Sequence, residues 1–464
     1  MNQAHPPNPV RLDGRKLEGG GQLVRIAVAL SALTGQAVTI DNIRGNRTGK
    51  RGLKASHLAA IQTLAELSGS TLVKAQVGSC SIGFYPPRER EEARQINSEI
   101  NIRLPTPGSV FLVFQALYPY LLRSTPTEQI RLSITGGTNV SSSPSYDYVA
   151  QVLIPNFARI GLPPLSVRLE KRGWASGQGH LGLGSVVFAV DTLWRRDANG
   201  GAPGHEIPFP SVDLRCRRGK ISRIDITVLA PDDQLDTDAA GAGALGTKVS
   251  GSSRRRVRQD AAAQLGGSEK PESVREFMER YAHRALHKRL KELPRDIFLQ
   301  HSSEGSSLQD EHHGIPIETH TTEATHHRSC MHVLMVAHTS TGFKLGREAL
   351  YGSLGEKPRA KKGQNRPRVD MRDRVKGLVD ECVGSFIREL YDPLLQAQSD
   401  TPETARHQPC VDEHMRDQLV IFEALARTSG DKAQECDGRE DERYWSLHTK
   451  TAQWVCREML GSGE

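Results

Sequence analysis

The sequence predicts an α+β fold, an α/β sandwich in which one order of strands and helices recurs. Three observations predict it. Short β-branched runs alternate with apolar runs of helical spacing between residues 10 and 85, in the order β-α-β-α-β-β. A similar order follows between residues 99 and 191, which implies pseudo-symmetric units. Each unit opens with a strand, a glycine-bearing turn and a helix start. At 464 residues the chain is long enough for more than one core. Its formal net charge of +7 suits an anionic partner. No apolar run reaches the roughly 18 residues of a membrane span, and Met1 to Pro9, a flexible N-terminus over 1–9, lacks a signal pattern. The seven cysteines are scattered with no CxxC pair, so reduced thiols in an intracellular compartment are expected.

In the first unit, Val10 to Leu12 reads as a strand. Glu18-Gly19-Gly20-Gly21-Gln22 then precedes a helix over about 23–34, with Leu23, Ile26, Ala27, Leu30 and Leu33 at helical spacing. A glycine run at a helix start lets backbone N–H groups approach an anion. Glu18 suits a metal or a donor, and Arg25 can turn back toward phosphate; a plain glycine turn explains the run as well. Ala37 to Ile43 reads as a strand, His57 to Leu67 as a helix, and 71–76 and 80–85 as closing strands. Arg44 and Arg47, at a strand end, are either phosphate contacts or solvated charge.

The second unit begins with a strand over Glu99 to Leu104, a turn at Thr106 to Ser109, and an apolar helix over Val110 to Leu122 carrying Gln115, either a ligand donor or a satisfied helix glutamine. Glu128 to Thr135 reads as a strand and Gly136-Gly137-Thr138-Asn139 as a turn. A helix over 147–159 should kink or break at Pro155. Strands at Leu165 to Glu170 and 185–191 flank a glycine-rich run that starts at Arg172-Gly173-Trp174.

Ile221 to Leu229 reads as a strand. Residues 230–270, 300–328 and 356–368 have low-complexity composition and read as loops; the middle one is rich in histidine. Between them, Pro271 to Leu293 should be a helix with Pro271 in its first turn, Met331 to His338 a buried strand, and Phe343 to Leu354 a turn region. Val369 to Leu390 is amphipathic and helical. Near the C-terminus, Val411 to Leu425 should be a helix with His414, Asp417 and Gln418 close on its surface. Tyr444 to Leu447 looks strand-like and delivers His448 to a helix over 451–460. An imidazole there is either structural or a nucleophile whose second nitrogen is held by an acceptor, with Asp417 one such group.

Together these segments resemble the RNA 3′-terminal phosphate cyclase family. The resemblance rests on Asp13-Gly14, Glu18 to Gln22 and Arg25; on Ile43-Arg44, Arg47, Gly52-Leu53 and His57-Leu58; on Gly108-Ser109 with Gln115; on Gly136 to Asn139; and on Asp417-Gln418-Leu419 with His448 to Ala452. It spans about residues 10–460. It implies repeated βαβαββ units with a smaller inserted α/β domain. The first part would run over 10–217, the insertion over 218–400, and the last part over 401–464. It also implies an ATP-dependent enzyme of the ligase class. His448 would attack the α-phosphorus of ATP and release pyrophosphate; AMP would pass to an RNA 3′-terminal phosphate, and the 2′-hydroxyl would close a 2′,3′-cyclic end. The resemblance makes Glu18 the metal carboxylate for Mg²⁺ or Mn²⁺, and Arg25, Arg44 and Arg47 contacts to phosphate or the RNA end. Gln115, Asp417 and Gln418 become nucleotide-pocket or histidine-orienting groups, His414 a nucleotide-side group, and Gln22 a member of the same loop as Glu18 with a weaker role. RNA is the expected partner and the nucleus, with the cytoplasm as a second site, the expected location; a homodimer is compatible, a membrane is not.

The chain departs from the family pattern at Lys54, Ser56, Pro107 and His414, where the family carries arginine, glutamine, alanine and tyrosine. Its Arg172 to His180 run lacks the family's proline and contiguous glycines, and a charged insertion splits a turn near 346–363. An alternative is a catalytically impaired relative that binds RNA in ribosomal RNA processing. Retention of Glu18 to Gln22 and of His448 favours the enzyme. An enolpyruvyl transferase shares the architecture alone and would not require the His448 segment.

Overall fold

The computed structural model describes residues 8–47, 49–87, 96–125, 128–176, 179–195, 205–214, 218–235, 271–300, 314–352, 370–397, 408–428 and 442–461. Most of the three expected low-complexity loops, and nearly all of the N-terminal 1–9, lie outside them.

The first unit contains β1 (Val10–Asp13), α1 (Gln22–Thr34), β2 (Val38–Asp41), α2 (Ala55–Ser68), β3 (Thr71–Val73) and β4 (Ile82–Tyr85). Its sheet runs β1-β2-β4-β3, with β1 and β2 parallel and β4 antiparallel to both of its neighbours. The second contains β5 (Glu99–Arg103), α3 (Val110–Leu122), β6 (Ile130–Gly136), β7 (Asn139–Val140), α4 (Tyr146–Tyr148), a π-helical turn (Val149–Leu153), α5 (Ile154–Arg159), β8 (Leu165–Lys171), β9 (Trp174–Ser176), β10 (Gly179–Gly182) and β11 (Gly184–Val190). Its main sheet, β5-β6-β11-β8, repeats the first in order and direction. The repeat read from the sequence is therefore a repeat of topology. Residues 136–139, expected as a turn, instead end β6 and form β7, which pairs parallel with β9. Near Pro155 the α geometry is interrupted, as expected, but without a break in the chain's helical run. The helical run continues through the π turn just ahead of the proline, where a wide turn relieves the clash with the preceding carbonyls.

Two short strands, β12 (Trp194–Arg195) and β13 (His205–Glu206), lead to a third sheet. It contains β14 (Ile221–Pro231), α6 (Val274–Leu290), β15 (Ile317–Thr325), β16 (His332–Thr339), β17 (Lys344–Leu350) and α7 (Met371–Leu390). The strand order is β15-β14-β16-β17. Apolar side chains of β14 and β16 pack against α6 and α7 in a core of their own, including Ile226, Met335, Phe277 and Phe386. Leu334 and Val336, on the other face of β16, join the core of the first two units. The helix expected from Pro271 starts later, because Ser273 and Glu276 form a reciprocal capping box that fixes its first turn.

Part of the expected histidine-rich loop is the edge strand β15. Ile317, Thr319, Thr321, Glu323 and Thr325 are half-buried and alternate with exposed residues. This is a strand covered on one side, and its β-branched period outweighs its polar composition. The stretch expected as a turn after Phe343 likewise contains β17, and β14 extends into the expected 230–270 loop.

The chain returns to the first core through α8 (Pro393–Ala397), α9 (Glu413–Thr428), a 3₁₀ turn (Glu442–Tyr444) and α10 (Leu447–Leu460). The 3₁₀ turn replaces the strand-like segment expected before His448. Ser446 caps α10 by accepting from the Thr449 N–H at 3.0 Å, so the helix starts at Leu447 and encloses His448 in its first turn. Buried Arg218 closes the return: it donates to the carbonyls of Glu389 and Leu390 at 2.8 and 3.0 Å and of Pro409 at 2.6 Å. Met415, Leu419, Phe422, Ala452 and Val455 complete the core around α1. No described helix is long and apolar enough to cross a membrane.

Candidate active site

The glycine run brings three segments together. Gly19 has φ +63, in the region that favours glycine. A Cβ on Gly20 would overlap the Glu18 carboxylate, and one on Gly21 would overlap the His57 ring. The run thus permits Glu18, His57 and the start of α1 to crowd together. No side chain caps α1 at Gly21, which leaves its first-turn N–H groups without a side-chain acceptor.

From α1, Gln22 reaches both C-terminal helices. Its Nε2 donates to Asp417 Oδ2 at 3.0 Å. Its Oε1 lies 3.0 Å from His448 Nδ1. A carboxylate only accepts, so this pairing fixes the amide with its oxygen toward the imidazole. An amide oxygen also only accepts, so Nδ1 carries the proton and Nε2 keeps the lone pair. Burial lowers the His448 pKa, and Arg25, Arg47 and His414 act in the same direction against Asp417. The first turn of α10 adds a further bias against imidazolium. Asp417 is held from its other side by Gln418 Nε2 at 2.5 Å; burial raises its pKa, against Gln418 and the nearby cations.

Gln22 is therefore the direct partner of His448, and Asp417 acts through it. The two contacts span 395 and 426 residues of sequence, so no local spacing reveals them. Gln115 holds Arg25: its Oε1 accepts from Arg25 Nε at 2.8 Å. Arg25 itself is buried, which lowers its pKa to about 10.

Four cations converge beside this relay. Lys54 has its pKa lowered by burial and then by Arg44, Arg47 and Arg25. Arg44, at φ +56, donates to the Lys50 carbonyl at 2.6 Å. Arg47 pairs with one oxygen of Glu18, while the other, buried Oε2, has no hydrogen-bond partner. His57 belongs with them, although the sequence singled it out only as part of a motif. Its Nδ1 accepts from the Lys54 N–H at 3.3 Å, which leaves the proton on Nε2 toward Gly21. Burial, then Arg25, Lys54 and Arg44, push its pKa down to about 3. Mutual repulsion among like charges is relieved by an anion, so this cluster suits phosphate.

A cavity of about 380 Å³ opens from His448 and Arg25 toward the third sheet. His414, Asp417 and Gln418 line it from α9, Asn139, Pro144 and Ser145 from the second unit, and His332 and Glu348 from the third sheet. Asp412 aligns these walls. It accepts from Tyr148 Oη at 2.7 Å, the Gly346 N–H at 2.8 Å and the first N–H groups of α9. His414, where the family carries tyrosine, has its Nε2 2.9 Å from Arg347 Nη1, which donates to it. The altered glycine-rich signature still holds structure together. Arg172 pairs with Asp147 and Glu323, and a Cβ on Gly173 would overlap the backbone of Gly184 and Gly136.

Among the described residues no three His, Cys, Asp or Glu side chains cluster as a metal site. The open oxygen of Glu18 nevertheless fits a divalent ion that takes its remaining ligands from phosphate and water.

A family model for RNA 3′-terminal phosphate cyclase matches residues 16–463. The RNA 3′-terminal phosphate cyclase of Thermococcus onnurineus is 40% identical over 220 residues, covering 46% of this chain and 60% of that protein. Those of Desulfurococcus amylolyticus and Pyrococcus furiosus are each 38% identical, over 164 and 175 residues. These alignments cover 35% and 38% of this chain and 43% and 48% of the relatives. The chain thus spans about half the length of the curated relatives it matches.

Proposed function

Because the chain belongs to the RNA 3′-terminal phosphate cyclase family, we propose that it converts RNA 3′-terminal phosphates to 2′,3′-cyclic ends with ATP. The observation that carries the reading is the 3.0 Å contact between His448 Nδ1 and Gln22 Oε1 in a residue that lines the cavity, which leaves Nε2 as the nucleophilic nitrogen. In the first step Nε2 attacks the α-phosphorus, the bond to the bridging β-phosphate oxygen breaks, and pyrophosphate leaves. The Nδ1 proton stays on the ring, directed at Gln22, whose hold supports the charge that develops there. Arg25, Arg44, Arg47 and Lys54 would balance the triphosphate and then the RNA 3′-phosphate.

A Mg²⁺ or Mn²⁺ ion at Glu18 would supply Lewis-acid stabilisation of phosphoryl oxygens. In the second step an oxygen of the RNA 3′-phosphate attacks the histidine-bound phosphorus, and the P–N bond breaks. In the third, the vicinal 2′-hydroxyl attacks the activated 3′-phosphate, loses its proton, and AMP leaves. AMP is a far better leaving group than a phosphate oxygen dianion, which gives the covalent detour its purpose.

The test is incubation with ATP labelled at the α-phosphate and Mg²⁺. An acid-labile, alkali-stable protein–AMP is expected, with loss of label in His448→Ala. Equal labelling of that variant would remove His448 from the first step. No adduct in the folded wild type, with retained RNA binding, would instead favour the RNA-binding alternative. Conversion of a 3′-phosphorylated oligoribonucleotide to a cyclic end tests the later steps.

A further inference from the structure

An exposed strip on the outside of α10 leads to the cationic cluster. Leu447, Lys450, Trp454 and Arg457 recur at three- and four-residue intervals, which places them on one side of the helix. Lys450 and Arg457 are exposed, Leu447 is 50% exposed, and Trp454 is half-buried. The loop ahead of α1 runs beside this face. Lys16 Nζ lies 4.5 Å from the centre of the Trp454 ring, and the Glu18 N–H donates to Thr451 Oγ1 at 3.1 Å. Lys16, Leu17 and Glu18 therefore follow α10 backwards, from Trp454 to its first turn. Leu17 sits in the left-handed region at φ +56, where a bulky side chain is unfavourable, and its side chain is exposed.

Charge, apolar surface and direction all suit a single-stranded nucleic acid. The Trp454 ring holds the Lys16 ammonium by cation–π attraction. The other neighbour of Lys16 is Glu458, at 3.8 Å, which is half-exposed and already accepts from Trp454 Nε1 at 2.8 Å. An ion pair so loose and so solvated is weak, and a phosphate displaces it readily. Leu17 and Leu447 are among the few large apolar side chains exposed in the described residues, and both border the Glu18–Thr451 contact. Thr451 Oγ1 itself donates to the Leu447 carbonyl at 2.8 Å. Cations interleaved with apolar side chains are what backbone phosphates and the faces of sugars and bases take. The strip ends at Glu18, whose partner Arg47 belongs to the phosphate cluster. Six positions separate His448 from Trp454. That is about 9 Å along the helix, the length of two to three stacked nucleotides at about 3.4 Å each.

We propose that this strip carries the RNA immediately upstream of its 3′-terminal phosphate, with Lys16 and Lys450 taking backbone phosphates and Leu17 and Leu447 packing on sugar or base faces. The assignment rests on the RNA-cyclase reading of the site and adds how far along the RNA its grip extends. The contacts are to charge and to apolar faces, so the strip is indifferent to base identity. Lys16, Leu17, Leu447 and Trp454 lie outside the motifs that carry the family resemblance, and nothing in that resemblance assigns them.

The experiment measures equilibrium binding of 3′-phosphorylated oligoribonucleotides of one, two, four and eight residues to the full chain, without ATP. Affinity should rise about tenfold from one residue to four, and by less than about twofold from four to eight. With the eight-residue RNA, Lys16→Gln and Lys450→Gln should each lower the slope of log affinity against log salt by about 0.7, the value of one single-strand phosphate contact. Both should weaken every base sequence alike. Leu447→Gln keeps the helix and removes the apolar face, and should weaken the four- and eight-residue RNAs about threefold while the single nucleotide stays within about twofold. Equal affinity for one and eight residues, or unchanged salt slopes in both lysine variants, overturns the strip. Length-independent binding with protein–AMP formation and cyclisation intact overturns it and leaves the proposed reaction standing. Length- and lysine-dependent binding by a chain that forms no protein–AMP supports the strip and overturns the reaction. Failure of every RNA to bind overturns both.

Discussion

Two parts of the cavity wall treat polar atoms in opposite ways. At the His448 end Gln22 has both amide atoms matched, by Asp417 and by the imidazole, and Arg25 is held by Gln115. At Asn139 and His332, by contrast, one buried side-chain nitrogen each has no protein partner. The difference teaches where the fold fixes a side chain in advance. Chemistry requires one tautomer in one orientation before substrate arrives, so protein hydrogen bonds set it at His448.

The sharpest way to break this contrast is at Gln22. Gln22→Leu removes the acceptor for His448 Nδ1 and leaves Asp417 Oδ2 without its amide donor. The ring is then free to turn, or to take the other tautomer with its lone pair buried. AMP transfer to the protein should fall by roughly 10³-fold, the order of loss seen when an orienting partner of a catalytic histidine is removed. ATP affinity in EDTA should change by less than about threefold, because Arg25, Arg44, Arg47 and Lys54 are untouched. Labelling within about tenfold of wild type would show that the prearranged end does not govern the chemistry.

This asymmetry also explains what the sequence could disclose. The first two units are legible because their signals are local: helical spacing from Leu23 to Leu33, glycine turns, and β-branched runs of the expected length. His448, Glu18 and the arginines are legible from motif order. The direct role of Gln22 is not, since it depends on partners about 400 residues away that only packing of α1 against α9 and α10 brings near. The edge strand Ile317–Thr325 is hidden because its half-covered face uses threonine rather than large apolar residues. His57 and His332 look alike in sequence, as single histidines in largely apolar stretches. Their difference is three-dimensional: one has its Nδ1 satisfied by the Lys54 N–H, the other has an open Nδ1.

That difference gives the next prediction in order of size. His57 is held neutral, with a pKa near 3 in the folded chain against 6.5 ordinarily. The folded pKa is the lower one, so between these values the unfolded chain binds more protons, and stability rises with pH. From pH 7 to pH 5 this group alone should cost about 2 kcal/mol. Denaturant unfolding of wild type and His57→Gln at both pH values measures it. The variant should lose about 2 kcal/mol less over that interval. Equal slopes would mean that the cationic cluster does not hold His57 neutral, and the paired end would lose one of its fixed protonation states.

The smallest effect should come from Ser145→Ala, and its value lies in where it registers. The hydroxyl accepts from the Tyr148 N–H at 3.0 Å and donates to Glu348, while the Ser145 N–H keeps its own bond to that carboxylate. Loss of the cap should lower stability by about 1 kcal/mol. Glu348 would still keep its contact with His332 and its bond from the Ser145 N–H. AMP transfer at saturating ATP should stay within about threefold of wild type, since no bond to Gln22, Asp417 or His448 is touched. A polar deletion at Gln22 is thus expected in the rate, and one at Ser145 in stability. If Ser145→Ala instead slowed transfer as strongly as Gln22→Leu, the Ser145–Glu348 pair and the Gln22 relay would be one coupled unit, and the prearrangement of His448 would not be confined to Gln22 and Asp417.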